Sequence, residues 1–153
     1  MGLCYARYMK IKGMKGYPAE VRLEVRYRDL DPLGHVNNAV YLSYIELARV
    51  RYFALLGALA GALGKGEAPV VARVEIDYHR PIFLEDEVVA AARVSRLGRT
   101  SFAMDYRVEA GGELAASARS VHVWLGRDGK PTPLPEHLRR RVGELETLPV
   151  EGL

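Results

Sequence analysis

Residues 29–49 read DLDPLGHVNNAVYLSYIELAR, and this stretch decides the architecture because a strand, a sharp turn and a long helix meet in it. Upstream, Val21, Leu23, Val25 and Tyr27 alternate with Arg22, Glu24, Arg26 and Arg28, the period of two that marks a half-buried strand over residues 21–29. Pro32 and Gly34 favour a tight reversal. Tyr41, Tyr44, Ile45, Ala48, Tyr52, Leu55 and Leu56 then recur at helical spacing, while Leu42, Leu47, Val50 and Phe53 make the opposite side apolar too. A helix apolar nearly all round is expected to be largely enclosed. Its end is expected in the glycine-rich LLGALAGALGKGE, where caps and loops form easily.

Four further strands are predicted at residues 70–81, 87–97, 100–110 and 114–125. Their connections contain Glu-Asp, Leu-Gly-Arg and Gly-Gly, short turns that favour antiparallel hairpins. No second strong helix interrupts them. Long antiparallel strands with one apolar helix predict an α+β chain whose curved sheet wraps around that helix. Asp128-Gly129 turns the chain after the last strand, and residues 135–146 are expected to form a terminal helix with a basic LRRR face. The 153 residues suit one core burying about two-thirds of the unfolded surface. We divide them into an N-terminal extension (1–20), the sheet-and-helix domain (21–126) and a C-terminal turn and helix (127–153) packed on that domain.

Hydrophobic residues make up 49% and charged residues 27%, a globular balance. A net charge of +3 favours an anionic small molecule and is too small to imply nucleic acid. The longest apolar run is broken by Glu46, Arg49 and Arg51, so no membrane insertion is expected. The N-terminus has no continuous apolar segment of the secretory kind, and the single Cys4 suits a reducing cytoplasm.

The chain has no glutamine, and its only asparagines are Asn37 and Asn38. Asp31 follows the strand and precedes the helix, so its carboxylate either caps the turn or serves as acid, base or nucleophile in a cleft. Asn38 is expected to cap the helix with its side chain. Its backbone has a separate use, since free N–H groups in a first helical turn, backed by the helix dipole, suit a developing oxyanion. His35 either assists water activation or is a hydrogen-bonded loop histidine. Glu46 and Arg49, three apart, read as a structural ion pair, with Glu46 the second candidate acid. His79 and His122 read as satisfied structural histidines, with no metal-type spacing around them.

These residues resemble the 4-hydroxybenzoyl-CoA thioesterase branch of the hotdog-fold superfamily. The resemblance rests on Tyr27-Arg28-Asp29-Leu30-Asp31, Gly34-His35-Val36-Asn37-Asn38, Tyr41 and Glu46-Leu47-Ala48-Arg49, continuing through Ile76-Asp77-Tyr78-His79-Arg80-Pro81 and Asp86-Glu87-Val88. It implies a hotdog fold, with the helix enclosed by the sheet, and hydrolysis of an acyl-CoA thioester with no further cofactor. Asp31 matches the family's active-site carboxylate, and Asn38 the position whose backbone N–H polarises the carbonyl. Homodimers, pairing further into tetramers, are implied as well. For the substrate we single out Tyr41 near the acyl group, and Arg80, Arg96, Arg99 and Ser101 for CoA phosphates. Two other readings stand beside this one: an acyl-ACP thioesterase, and a noncatalytic acyl-CoA-binding module.

Overall fold

The alternation read over residues 21–29 breaks before it reaches Asp31. In the computed structural model, which describes residues 14–57 and 65–153, strand β1 spans Ala19–Glu24 and gives way to a 3-10 turn at Tyr27–Asp29. The Asp29 carboxylate causes the break by accepting the Arg26 N–H at 2.9 Å. Tyr27, expected to point inward, is 84% exposed. Cys4 and much of the N-terminal extension lie outside the described residues.

Helix α1 (Val40–Leu56) ends at Gly57, whose φ of 64° is the left-handed cap that glycine adopts without strain. Four long strands follow: β2 (Ala68–Tyr78), β3 (Glu87–Leu97), β4 (Ser101–Ala110) and β5 (Glu113–Leu125). All pairings are antiparallel, in the order β1-β3-β4-β5-β2. Hairpins join β3 to β4 and β4 to β5, whereas β1 and β2 occupy the two edges. This is a hotdog fold: α1 lies across β1, β3 and β4, burying Tyr41, Tyr44, Ile45, Ala48, Tyr52, Phe53 and Leu56. A fully buried Ile45 alone contributes about 1.5–3 kcal/mol.

The enclosure of α1 is less complete than its composition implies. Leu42, Leu47 and Val50 are exposed, because within one chain the sheet covers a single side of the helix. Along β2, a bulge between Val71 and Arg73 makes Ala72 the extra residue, so Val71 and Val74 both face the helix side. Both are exposed as well.

The outer edge of β3 is completed from two directions. β1 pairs with it only as far as Ala92. Beyond that point, helix α2 (Glu136–Leu145) and the residues after it take over. The Val94 N–H donates to Glu146 Oε1 (2.7 Å), the Glu151 N–H to the Ser95 carbonyl (3.0 Å) and the Leu97 N–H to the Glu151 carbonyl (2.8 Å). Gly152 makes this approach possible, since a Cβ there would sit 2.1 Å from the Leu97 carbonyl oxygen.

Under α1 the sheet buries a polar string. The Tyr106 hydroxyl and Ser120 Oγ are 2.7 Å apart, Ser120 Oγ and His122 Nε2 2.6 Å, and the His122 ring stacks on Phe102 at 4.7 Å. Burial lowers the His122 pKa to about 4, and the nearby Arg49 charge acts in the same direction. A base held neutral in the fold costs stability wherever the unfolded chain takes up a proton and the folded chain does not. We therefore expect the wild type, relative to His122→Phe, to lose about 3 kcal/mol in urea unfolding as pH falls from 7 to 4. Glu146 acts in the opposite sense, because burial raises its pKa and its share of stability grows on acidification. The comparison with His122→Phe isolates the imidazole, and equal pH dependence in the two proteins would refute the assignment.

Candidate active site

Asp31 sits in a small hairpin of its own. Leu30 bridges to Val36 and His35 to Phe83, both antiparallel, so the loop is sewn to the segment leading from β2 to β3. The Asp31 N–H donates to the His35 carbonyl (2.9 Å) and the Gly34 N–H to the Asp31 carbonyl (3.0 Å). Gly34, at φ 83°, supplies the left-handed residue that this turn requires.

The two carboxylate oxygens of Asp31 have different surroundings. Oδ1 accepts the Leu33 N–H at 2.9 Å, the turn-capping interaction. Oδ2 faces His35, whose Nδ1 lies 3.3 Å away. The His35 ring meets Phe83 edge-on at 6.4 Å. Leu33 and Phe83 are both exposed. Both readings of Asp31 are thus compatible in one side chain, with one oxygen used for the turn and the other turned to a titratable ring.

The start of α1 corrects one expectation. Asn37, not Asn38, uses its side chain at the helix start, accepting the Ala39 N–H at 2.9 Å. The reason is local: an asparagine side chain reaches the backbone N–H two residues on, which for Asn37 is Ala39, while the Asn37 carbonyl accepts the Val40 N–H (2.9 Å). Asn38 is exposed, and among the described residues neither its side chain nor its N–H has a hydrogen-bond partner. Its carbonyl accepts the Tyr78 hydroxyl at 2.9 Å.

Asp29 is a tether. It accepts the Tyr44 hydroxyl (3.0 Å) as well as the Arg26 N–H, and its carbonyl receives the Asn37 N–H (2.8 Å). Burial, followed by the Asp29 hydrogen bond, holds the Tyr44 phenol above its ordinary pKa.

The other sequence-selected residues scatter. Tyr41 is buried and donates weakly to the Arg80 carbonyl at 3.3 Å, so it packs in the core beside Tyr78, with ring centroids 5.0 Å apart. Arg80 is spent on structure, reaching the Ala110 carbonyl at 3.0 Å, Glu113, and Asp86 at 3.7 Å. Arg96 pairs with Glu151 at 3.5 Å on the outer sheet face. Arg99 belongs to the β3–β4 turn, and Ser101, the first residue of β4, folds back over Gly98. The 11 residues of β3 put that turn roughly 30–35 Å from the end where Asp31 sits. Within one chain, Arg96, Arg99 and Ser101 therefore do not join the Asp31 cluster.

Glu46 and Arg49 do pair, at 3.5 Å, but they point to different places. The Arg49 side chain is 13% exposed, whereas that of Glu46 is 63% exposed. Glu46 borders a groove of about 1500 Å³ between β1, α1 and residues 84–87, whose lining does not include Asp31 or His35. His79 bonds Ser117 at 2.8 Å, and among the described residues no group of three or more His, Cys, Asp or Glu side chains is arranged to hold a metal.

A carboxylate in the loop before α1 and a free amide at the start of α1 are parts that acyl transfer to water uses. The sequence matches the model of the thioesterase-like superfamily over residues 25–142, most of the chain. The chain belongs to the thioesterase-like superfamily. A thioesterase of Thermus thermophilus, solved in complex with coenzyme A and Zn, is 52% identical, with 90% of this chain and all of that one covered at a TM-score of 0.82. The 1,4-dihydroxy-2-naphthoyl-CoA hydrolase of Synechococcus elongatus is 30% identical over 75% of this chain and 88% of its own length. The acyl-acyl carrier protein thioesterase ATL3 of Arabidopsis thaliana is 28% identical over 88% of this chain and 73% of its own. Like these superfamily members, the chain is a thioester hydrolase. No helix among the described residues is long and apolar enough to cross a membrane.

Proposed function

We propose that this thioesterase hydrolyses an acyl-CoA to the free acid and CoA, with Asp31 as base or nucleophile and the Asn38 N–H polarising the thioester carbonyl. The supporting observation is the free Asn38 N–H at the start of α1, a few residues from a carboxylate fixed through Oδ1. In the base route, Asp31 takes a proton from water as the water oxygen bonds to the thioester carbon. The carbonyl electron pair moves onto oxygen, where the Asn38 N–H and the helix dipole stabilise it. As the carbonyl re-forms, the C–S bond breaks and the thiolate takes up the proton. In the nucleophile route, Asp31 itself bonds to the carbon, releasing the thiolate, and water then opens the mixed anhydride. His35 orients the carboxylate in either case. Glu46, exposed in the single chain, acts only if a second subunit closes over it. The substrate's own carrier is the only cofactor in this reading, and one cysteine in the chain accords with a cytoplasmic setting.

A homodimer, pairing into a dimer of dimers, belongs to the same reading. β2 is an 11-residue edge strand, and its exposed Val71 and Val74 join Leu42, Leu47 and Val50 of α1 in an uncovered apolar side. A two-fold copy adding its β2 antiparallel to this one would cover that side. It would also bring the partner's β3–β4 turn toward this chain's Asp31, where arginines of that turn can meet CoA phosphates.

The likeness to ATL3 supports a second reading, in which the pantetheine arm arrives on acyl-carrier protein. One assay separates these alternatives: thiol release from acetyl-, octanoyl-, palmitoyl- and benzoyl-CoA, and from the same acyl groups on acyl-carrier protein. Hydrolysis of at least one acyl-CoA is expected. Activity confined to carrier-protein thioesters favours the second reading, and binding without hydrolysis of any of them leaves a noncatalytic module.

A further inference from the structure

Both peptide planes flanking Asn38 are held, and one holder comes from the edge of the sheet. In the preceding peptide, the Asn37 carbonyl accepts the Val40 N–H at 2.9 Å. A trans peptide is planar, so the Asn38 N–H of that same unit points the opposite way, out beyond the first turn. In the following peptide, the Ala39 N–H is fixed on Asn37 Oδ1 and the Asn38 carbonyl on the Tyr78 hydroxyl, each at 2.9 Å. The Leu42 N–H turns to the Ala39 carbonyl instead (3.3 Å), leaving the Asn38 carbonyl to Tyr78.

Tyr78 is the last residue of β2 and is well supported. Its ring stands edge-on to the buried Tyr41, whose own hydroxyl reaches the Arg80 carbonyl just past the strand end. The hydroxyl therefore ties the first turn of α1 to the end of β2.

We propose that Tyr78 is a positioning residue for the carbonyl-polarising amide: its hydroxyl fixes the peptide that follows Asn38, which limits rotation about that residue and so helps the N–H of the preceding peptide keep its aim while charge develops on the substrate oxygen. The proposal rests on the reading of Asn38 given under Proposed function. Hydrogen bonds weaken steeply with misalignment, and removal of a whole oxyanion donor costs about 10²–10³ in kcat. Loosening a donor, rather than deleting it, is expected to cost about 10-fold.

Tyr78→Phe keeps the ring against Tyr41 and removes only the hydroxyl. With acetyl-, octanoyl- and benzoyl-CoA as substrates, kcat should fall by the same factor of about 10 on each one the wild type hydrolyses, with KM within about two-fold. The melting temperature should stay within a few degrees. In ¹⁵N relaxation, the Asn38 amide should move from the rigid range, S² about 0.85, toward greater mobility. Wild-type kcat in Tyr78→Phe, alongside an inactive Asp31→Asn, would overturn the proposal and leave the site reading intact. So would an unchanged Asn38 order parameter, or a KM increase that varies with the acyl group, which would mean that Tyr78 touches substrate. Full turnover in Asp31→Asn would bring down the site reading and this proposal with it.

Discussion

Asp31→Asn is expected to lower kcat by about 10²–10⁴-fold, the usual contribution of a positioned acid–base group, while the protein stays folded. Asparagine has nearly the shape of aspartate, and its amide oxygen can still accept the Leu33 N–H that closes the turn. The backbone bonds of that turn, Asp31 N–H to His35 and Gly34 N–H to Asp31, do not involve the side chain. What is lost is the second oxygen, the one facing His35. An amide there neither takes a proton from water nor attacks a carbonyl, so both chemical routes fail together. Steady-state CoA release, measured beside a thermal melt, separates chemistry from folding. A variant with wild-type kcat would leave Asp31 with the turn alone.

Glu146→Ala is expected to destabilise the fold by about 3–5 kcal/mol, the cost of breaking a buried charged pair from one side. The Glu146 side chain is 1% exposed and serves three residues of two elements, α1 and β3. Oε1 accepts both the Tyr52 hydroxyl of α1 and the Val94 N–H of β3 at 2.7 Å, and Arg93 Nε lies 3.5 Å from Oε2. Burial and this carboxylate push the Tyr52 phenol far above its ordinary pKa. Truncation strands a phenol, a strand amide and much of the surroundings of Arg93, which is itself buried and otherwise bonds the Pro149 carbonyl at 2.7 Å. For a chain of this length the melting temperature should drop by roughly 10 °C. Glu146→Gln should lose less, because an amide oxygen still accepts from Tyr52 or Val94. An alanine variant melting within a degree or two of wild type would show the network to be dispensable.

The parts legible in the sequence were those written in local periodicity. The span of α1, its glycine cap and the three hairpin-linked strands followed from spacing and turn residues, because each depends on neighbours a few positions away. The position of Asp31 between a strand and a helix is legible for the same reason. What stayed hidden depends on partners distant in sequence. The Tyr78 hydroxyl meets Asn38 across 40 positions and Glu146 meets Val94 across 52, and no spacing rule reports either. Alternation through Tyr27 pointed to a longer β1, yet one Asp29 hydrogen bond turned the chain early. The arginines chosen for phosphate contact illustrate another limit. The charge of Arg99 is visible in the sequence, but the end of the sheet it occupies is fixed by antiparallel register, which a single strand does not encode.

The composite edge of β3 bears on the order in which the chain is made. The hairpins of β3, β4 and β5 can pair once residue 125 has left the ribosome. The Val94 and Leu97 amides, however, wait for Glu146 and Glu151. Over that interval of synthesis the nascent sheet carries an unfinished margin, the kind of surface at which neighbouring chains pair wrongly. Residues 146–151 therefore act as the closing stitch of a sheet whose central strands were made before them.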